Sequence, residues 1–261
     1  MNRERCGLNC AGRVIRNCGA ISFLASTLLV LTSVPALASN LVVNGGFESN
    51  GGGGQINFTT SATGWSVPTP GYTFLFGPGA ADTTGVAGQF GNLQLWGPGN
   101  GSNNGLPATS PDGGFYAAAD SDFPGHMQPL QQTVTGLTPG ASYTVSFWWA
   151  AGQQFGFDGA TQSQWVVSLG SQTQSTAVAS IANHGFSGWM SESFTYTATS
   201  SSEMLSFLAT GSPSVPPFVL LDGVTLNASS PIPEPETLTL MVTGLAGVVG
   251  FARKYQIKKR G

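Results

Sequence analysis

The residues best suited by type and spacing to do chemistry lie on and after one run, Ser142 to Ala150. Strand alternation sends Tyr143, Val145, Phe147 and Trp149 to one side and Thr144, Ser146 and Trp148 to the other. The first set reads as a core face. Trp148 shares its side with two hydroxyl residues and offers a flat apolar face to the C–H groups of a sugar ring, unless a Gly-rich loop covers it. Gln153, Gln154, Gln162 and Gln164 follow, and their amides can both donate to and accept from sugar hydroxyls. This set predicts carbohydrate binding at Trp148, Gln153, Gln154 and Gln164.

Catalytic chemistry has much less to stand on. The only histidines, His126 and His184, lack a metal-partner spacing such as His-Glu-x-x-His. Gly185-Phe-Ser-Gly-Trp189 misses the nucleophile-elbow pattern because its second glycine comes one position early. Asp120, Asp122 and Asp158 are numerous enough for a glycosidase pair, but nothing in their context recommends them. Asp120-Ser-Asp-Phe-Pro-Gly125 opens like an EF-hand loop, yet Pro124 replaces a ligand and Gln131 stands where the bidentate Glu belongs, so a turn is expected. The expectation is a protein that is not an enzyme and has no catalytic residues.

Charge narrows the partners. All nine Lys and Arg residues lie outside Ser39–Ser230, whereas Glu48, Asp82, Asp112, Asp120, Asp122, Asp158, Glu192, Glu203 and Asp222 lie within it. A domain with acids and no bases cannot neutralise phosphates or adhere to anionic lipid, which excludes nucleic acid as a partner. It suits a secreted matrix in which divalent cations reach acidic oxygens. Cys6, Cys10 and Cys18 all precede this region, so the body is free of thiols and disulfides and relies on a hydrophobic core, with or without a metal ion. Residues 39–229 are enough for one such domain.

The elements that must position these residues are strands. Short runs rich in Val, Thr, Phe, Tyr and Trp alternate with Gly, Pro, Asn and Ser clusters, and no long 3.6-residue period appears. Strands are predicted at Leu41–Val43, Tyr72–Phe76, Asn92–Trp96, Phe115–Ala119, Gln131–Thr135, Ser142–Ala150, Gln164–Leu169, Thr173–Val178, Met190–Ala198, Glu203–Ala209 and Phe218–Leu226. About eleven strands without helices favour an all-β antiparallel β-sandwich of jelly-roll type. Gly97–Gly105 is expected to be a rim or disordered tip.

Both ends read as targeting segments. Residues 1–38 form a secretory signal peptide: Arg3, Arg5, Arg13 and Arg16, then the apolar Ile21–Leu31, then the small-x-small site Ala36-Leu-Ala38. Residues 230–261 run from Pro233-Glu234-Pro235 through an apolar stretch, Leu238–Ala252, to Arg253, Lys254, Lys258, Lys259 and Arg260. At roughly 1.5 Å per residue that stretch reaches about 22 Å, short of a ~30 Å hydrocarbon core, so it predicts a short, transient membrane insertion with the basic end cytoplasmic. The order of Pro-Glu-Pro, Gly-rich apolar helix and basic end resembles the PEP-CTERM sorting signal of Gram-negative bacteria. The resemblance implies recognition by an exosortase-type processing protease that cleaves near Pro233-Glu234-Pro235, and a host that makes exopolysaccharide.

The body carries a second resemblance. Asn40-Leu-Val-Val-Asn-Gly-Gly-Phe-Glu48 and Leu221-Asp-Gly-Val-Thr-Leu226 are similar to the two ends of galactose-binding-like jelly rolls, a fold of many carbohydrate-binding modules. Leu130–Gly140 with the strand to Trp149, and Gly185–Met190, fit the same pattern. The resemblance implies that the two ends meet around a structural Ca²⁺, with Glu48 and Asp222 as carboxylate ligands beside backbone carbonyls. Leu221-Asp222-Gly223-Val224 supplies one acid where the family often has two. The combined expectation is an exported cell-surface or extracellular protein that binds carbohydrate or exopolysaccharide without catalysis. The alternatives are a self-associating structural matrix or biofilm protein with no sugar site and, last, a polysaccharide-active enzyme.

Overall fold

Alternation of buried and outward residues along the longer strands gives each one a face for the interior. The computed structural model describes residues 39–229. Its strands are β1 (Gly54–Gln55), β2 (Thr73–Phe76), β3 (Val86–Gly88), β4 (Gly91–Leu93), β5 (Tyr116–Asp120), β6 (Leu130–Thr135) and β7 (Ser142–Gln153). Then come β8 (Thr161–Leu169), β9 (Gln172–Ser175), β10 (Ala179–Ile181), β11 (Met190–Thr197), β12 (Ser202–Ser212) and β13 (Pro217–Ala228). One sheet runs β1-β2-β5-β13-β7-β11 and the other β10-β8-β12-β6 with β9 beside β8, every pairing antiparallel. The architecture is the all-β jelly-roll sandwich expected from the sequence.

The main core lies between the sheets. Val145, Phe147 and Trp149 of β7 and Val219 and Leu221 of β13 meet Trp165 and Val167 of β8 and Leu205 and Phe207 of β12. Two aromatic side chains also tie the layers by polar tips: Trp165 Nε1 donates to Leu220 O (3.0 Å) and Tyr196 Oη to Val167 O (2.8 Å). A buried N–H or O–H that finds a partner avoids a desolvation cost of about 1–3 kcal/mol.

A second apolar cluster covers the other face of the six-stranded sheet. Phe74, Phe76, Tyr116, Ala118, Ala150, Phe218 and Leu220 pack beneath Ala81, Val86, Leu93, Leu95 and Leu106, which come from the segment between β2 and β5. That segment contains the β3–β4 hairpin and the Gly97–Gly105 stretch. Far from a disordered tip, the latter is pinned: Asn100 Nδ2 donates to Leu95 O (2.8 Å), Asn104 Nδ2 to Trp96 O (2.8 Å) and Ser102 Oγ to His184 O (2.8 Å). Much of the sheet's outer face is therefore roofed, and it does not form an open concave platform.

The ends of the domain meet as the resemblance implies. Leu41 N donates to Leu226 O (2.9 Å), Leu226 N to Asn40 Oδ1 (2.9 Å) and Val224 N to Gly45 O (3.0 Å). Gly45 is required here, because a Cβ would overlap the Val224 carbonyl oxygen. The β13–β7 register shifts between Asp222 and Thr225, where Gly223 takes φ 59°, a bulge that turns Asp222 inward. Leu41–Val43 is correspondingly not a strand: the chain bends, and Asn44 and Phe47 adopt φ 55° and 58°.

Candidate carbohydrate cleft and carboxylate cluster

Asp120 ends β5, and the chain turns immediately. Asp122 N donates back to Asp120 Oδ1 (2.9 Å), while Ser121 N (2.9 Å) and Oγ (2.8 Å) both donate to Pro217 O. Asp122 Oδ2 accepts from Ser214 Oγ (2.8 Å). This Asx-type turn is the one expected from Asp120-Ser-Asp-Phe-Pro-Gly125, and it sets two carboxylates at one end of the six-stranded sheet.

Aromatic rings gather around them. Tyr72, Phe90 and Phe123 contact one another with centroids 5.3–5.7 Å apart. Phe90 sits at the tip of the β3–β4 hairpin and is 62 % exposed, its loop held by Gln89 N donating to Gln55 Oε1 (2.7 Å). Phe157, 42 % exposed, comes from the β7–β8 loop, whose position is set by Trp96 Nε1 donating to Phe157 O (2.9 Å). Trp96 in turn stacks on His184 at 3.7 Å, and His184 Nε2 pairs with Asp158 Oδ1 at 2.6 Å. Tyr72, Phe90, Asp120, Asp122, Phe123, Gln154, Phe157 and Ser214 thus line a cleft of about 280 Å³. This is at the small end of ligand pockets, apolar with a few convergent polar groups.

Burial dominates the electrostatics of the cleft. Asp120 is only 5 % exposed. Desolvation pushes its pKa up to about 6, with the Asp122 charge adding and the Asp122 N–H opposing. Tyr72 is pushed up to about 12 by burial and then by Asp120.

A separate carboxylate cluster forms where the domain ends meet. Asp222 is fully buried; its Oδ2 accepts from Ser110 Oγ and its Oδ1 from Gly223 N (2.8 Å). Burial pushes its pKa up to about 8, with Asp112 and Glu48 adding repulsion and the hydrogen bonds from Ser110 and Gly223 opposing. A Cβ at Gly46 would stand 2.7 Å from Asp112 Oδ2 and 3.9 Å from Asp222 Oδ1, so both acids face one point. Glu48 is aimed by its buried neighbour Phe47, which packs on Trp65 at 5.3 Å, and Glu48 Oε1 accepts from Phe115 N (2.6 Å). The donor chemistry suits a hard cation. No three His, Cys, Asp or Glu side chains among the described residues form a ready cage, which leaves backbone carbonyls and water to complete the six to eight oxygens that Ca²⁺ takes.

The four residues expected to contact sugar are dispersed by the fold. Gln154 lines the cleft. Gln153, its neighbour, is 0 % exposed, with Oε1 accepting from His184 N (2.8 Å) and Nε2 donating to Val215 O (3.4 Å), so it braces the loops from inside. Gln164 belongs to the other sheet, in a depression of about 200 Å³ with Gln162 and Thr210. Trp148 is half-buried on the outer face of β7, paired with Asp222 and Ser191 and flanking Gly223 together with Asp112. It stands by the carboxylate cluster and does not line the cleft. The hydroxyl row beside it opens on a depression of about 300 Å³ lined by Ser146, Ser191, Glu192 and Ser193. Sequence reasoning missed Tyr72, Phe90, Phe123, Phe157 and Asp112. The only available signal was that all four of these aromatics stand next to Gly or Pro in turn-rich stretches.

Comparison with known proteins adds the following. Residues 231–254 match the PEP-CTERM protein-sorting motif. Pro233, Glu234 and Pro235 fall inside that match; they lie outside the described residues, as do the signal peptide, the apolar stretch and the basic end. No curated relative matches the chain by sequence. Among solved structures, the enzymatically active domain of bacteriophage CBA120 tailspike protein 4 is 13 % identical, with a TM-score of 0.36, over 73 % of this chain and 21 % of that one. TmCBM61, in complex with β-1,4-galactotriose, is 15 % identical, with a TM-score of 0.34, over 74 % of this chain and 100 % of that one. The CBM22-1 xylan-binding domain from Paenibacillus barcinonensis is 10 % identical, with a TM-score of 0.33, over 63 % and 85 %. The fold assignment stands on the chain's own strand order and core.

Proposed function

We propose that this chain is an exported cell-surface or extracellular protein whose sandwich domain binds polysaccharide without catalysis, through the aromatic cleft at the Asp120 turn. The observation that carries the reading is the cleft itself. Tyr72, Phe90, Phe123 and Phe157 line it beside Gln154 and two carboxylates, with Phe90 and Phe157 exposed, so apolar surface for sugar rings and partners for hydroxyls occur together. Two of these rings, Phe90 and Phe157, are large, solvent-facing and line the same cleft, an arrangement that folding alone does not require.

Export follows from residues 1–38 as a cleaved signal peptide and 230–261 as a sorting segment. The tail inserts transiently in the membrane, and an exosortase-type protease cuts near Pro233-Glu234-Pro235. The natural ligand on this reading is the producing cell's own exopolysaccharide, which gives the protein a place in a biofilm matrix. A structural Ca²⁺ held by Glu48 and Asp222, with backbone carbonyls and water completing its oxygens, would offset the repulsion that Asp222 feels from Asp112 and Glu48 in a domain without Lys or Arg.

A hydrolytic role is disfavoured by the placement of the acids. A glycosidase sets its acid and base on either side of the scissile bond. Asp120 and Asp122 instead belong to one turn, with the backbone N–H of one on the carboxylate of the other. Affinity electrophoresis in gels cast with that exopolysaccharide, calcium present and an empty gel as reference, tests the binding reading. Retardation is expected, and unchanged mobility of the folded protein counts against it.

A further inference from the structure

We infer that the cleft prefers a cationic sugar, a hexosamine unit with a free amino group, whose ammonium sits between Asp120 and Asp122 and against the rings of Phe90, Phe123 and Phe157. This rests on the sugar-binding reading and narrows it to a class of ligand.

The cleft holds negative charge that the protein does not balance. Residues 39–229 contain no Lys or Arg, and His126, which stacks on Phe123 at 4.2 Å, makes no ion pair with either acid among the described residues. Asp120 is 95 % buried by its neighbours, yet only Oδ1 is engaged, by Asp122 N. Its other oxygen has no hydrogen-bond partner among the described residues and is not sealed from the cleft that Asp120 lines. A buried carboxylate with a free acceptor lone pair is stabilised by an arriving cation far more than by a neutral hydroxyl.

The walls decide which cation. Ca²⁺ takes about six to eight oxygens and Mg²⁺ about six with reluctant loss of water, and this cleft offers two carboxylates amid aromatic rings. An organic ammonium is less strongly hydrated at its C–H flank and is attracted to ring faces, by about 0.5–2 kcal/mol per contact. Phe90 and Phe157 are exposed enough to close over such a group. An N-acetylated sugar brings a neutral amide and leaves Asp120 without a counter-charge. A uronic acid adds a third negative charge, a repulsion that disfavours it.

The test is titration calorimetry of the full-length chain in detergent against β-1,4-linked trimers of glucosamine, N-acetylglucosamine and glucose. Calcium is held constant, the pH is about 6.5 so that Asp120 is mostly ionised while the amines carry charge, and the ionic strength is about 0.15 M to screen long-range attraction. The glucosamine trimer is expected to bind at least ~10-fold more tightly than the other two. Asp120→Asn with Asp122→Asn should erase that preference, and Asp122→Asn alone, at the less buried acid, should reduce it if the double variant does not fold. Glu192→Gln, on a different face, should leave it intact. Equal affinity for all three trimers overturns the inference and leaves the sugar reading standing. Binding of none overturns both. A preference that survives the double variant, or falls equally in Glu192→Gln, marks attraction by net charge and overturns the inference.

Discussion

Asp120 and Tyr72 are locked together at the floor of the cleft. The backbone N–H of Asp120 donates to the Tyr72 carbonyl over 3.1 Å, and the phenol is raised by its burial and then by the Asp120 carboxylate. One hydrogen bond therefore joins the end of β5, where the turn that carries the acids begins, to the first aromatic wall, which stands just before β2. The site's chemistry is built on a sheet end, with Phe90 and Phe157 brought to it by loops.

Stability should depend on pH through Asp120. Its folded pKa of about 6 lies above the ordinary value of 3.8, so between those values the folded state holds more proton than the unfolded state. Its contribution is full below about pH 4 and is lost as pH rises through 6, a change on the order of 3 kcal/mol. Asp122 and Tyr72, which face it, and Asp222, raised elsewhere, make the difference between wild type and Asp120→Asn the proper readout. Chemical denaturation from pH 4 to 7 should show the difference growing in favour of Asp120→Asn as pH rises; parallel curves would argue against a desolvated carboxylate.

Gly45→Ala should damage the closure of the domain ends, because the new Cβ meets backbone at Val224 with no side chain to yield. A loss of about 2–3 kcal/mol is expected, a fall of roughly 5–10 °C in melting temperature. Gly152→Ala is the control. Its Cβ would meet only the ends of Leu220 and Leu95, at 3.5 and 3.9 Å, and should change stability by about 0.5 kcal/mol or less.

Calcium should raise the melting temperature if Glu48 and Asp222 hold it with backbone carbonyls and water. At a concentration about 100 times the dissociation constant the gain is ~2.7 kcal/mol. Asp222→Asn should abolish the calcium response, whereas Asp158→Asn, at the exposed partner of His184, should keep it. An identical melt with calcium and with chelator would remove the ion from the account.

Trp96→Phe should weaken sugar binding while barely changing the melt. The ring can still stack near His184, but the N–H that holds the Phe157 carbonyl is gone. An affinity loss of about 3- to 10-fold is expected from releasing one ordered wall. Unchanged affinity would mean that the Phe157 loop is positioned by something else.

The fold was legible where burial follows a period. Tyr143, Val145, Phe147 and Trp149 alternate with Thr144, Ser146 and Trp148, and the structure buries the first set as that pattern requires. β1, β3 and β10 are two or three residues long, too short to carry a period. The meeting of Gly45 with Val224 was legible only through resemblance. The cleft was not legible at all, because Tyr72, Phe90, Phe123 and Phe157 come from four segments far apart in sequence and only the sheet order brings them together. His184 shows the same limit: it holds a left-handed backbone conformation at φ 55° and stacks on Trp96, which lies far from it in sequence.

The central claim is that binding runs through the cleft, and the most direct measurement is the affinity of three proteins for the same exopolysaccharide: wild type, Phe157→Ala and Trp148→Ala. Loss of an exposed stacking ring costs about 1–3 kcal/mol, so Phe157→Ala should bind at least ~10-fold more weakly. Trp148→Ala, beside the carboxylate cluster and outside the cleft, should bind like wild type once its melt shows it folded. The reverse pattern, with Phe157→Ala unaffected and Trp148→Ala unable to bind, would contradict the account and return the site to the strand face.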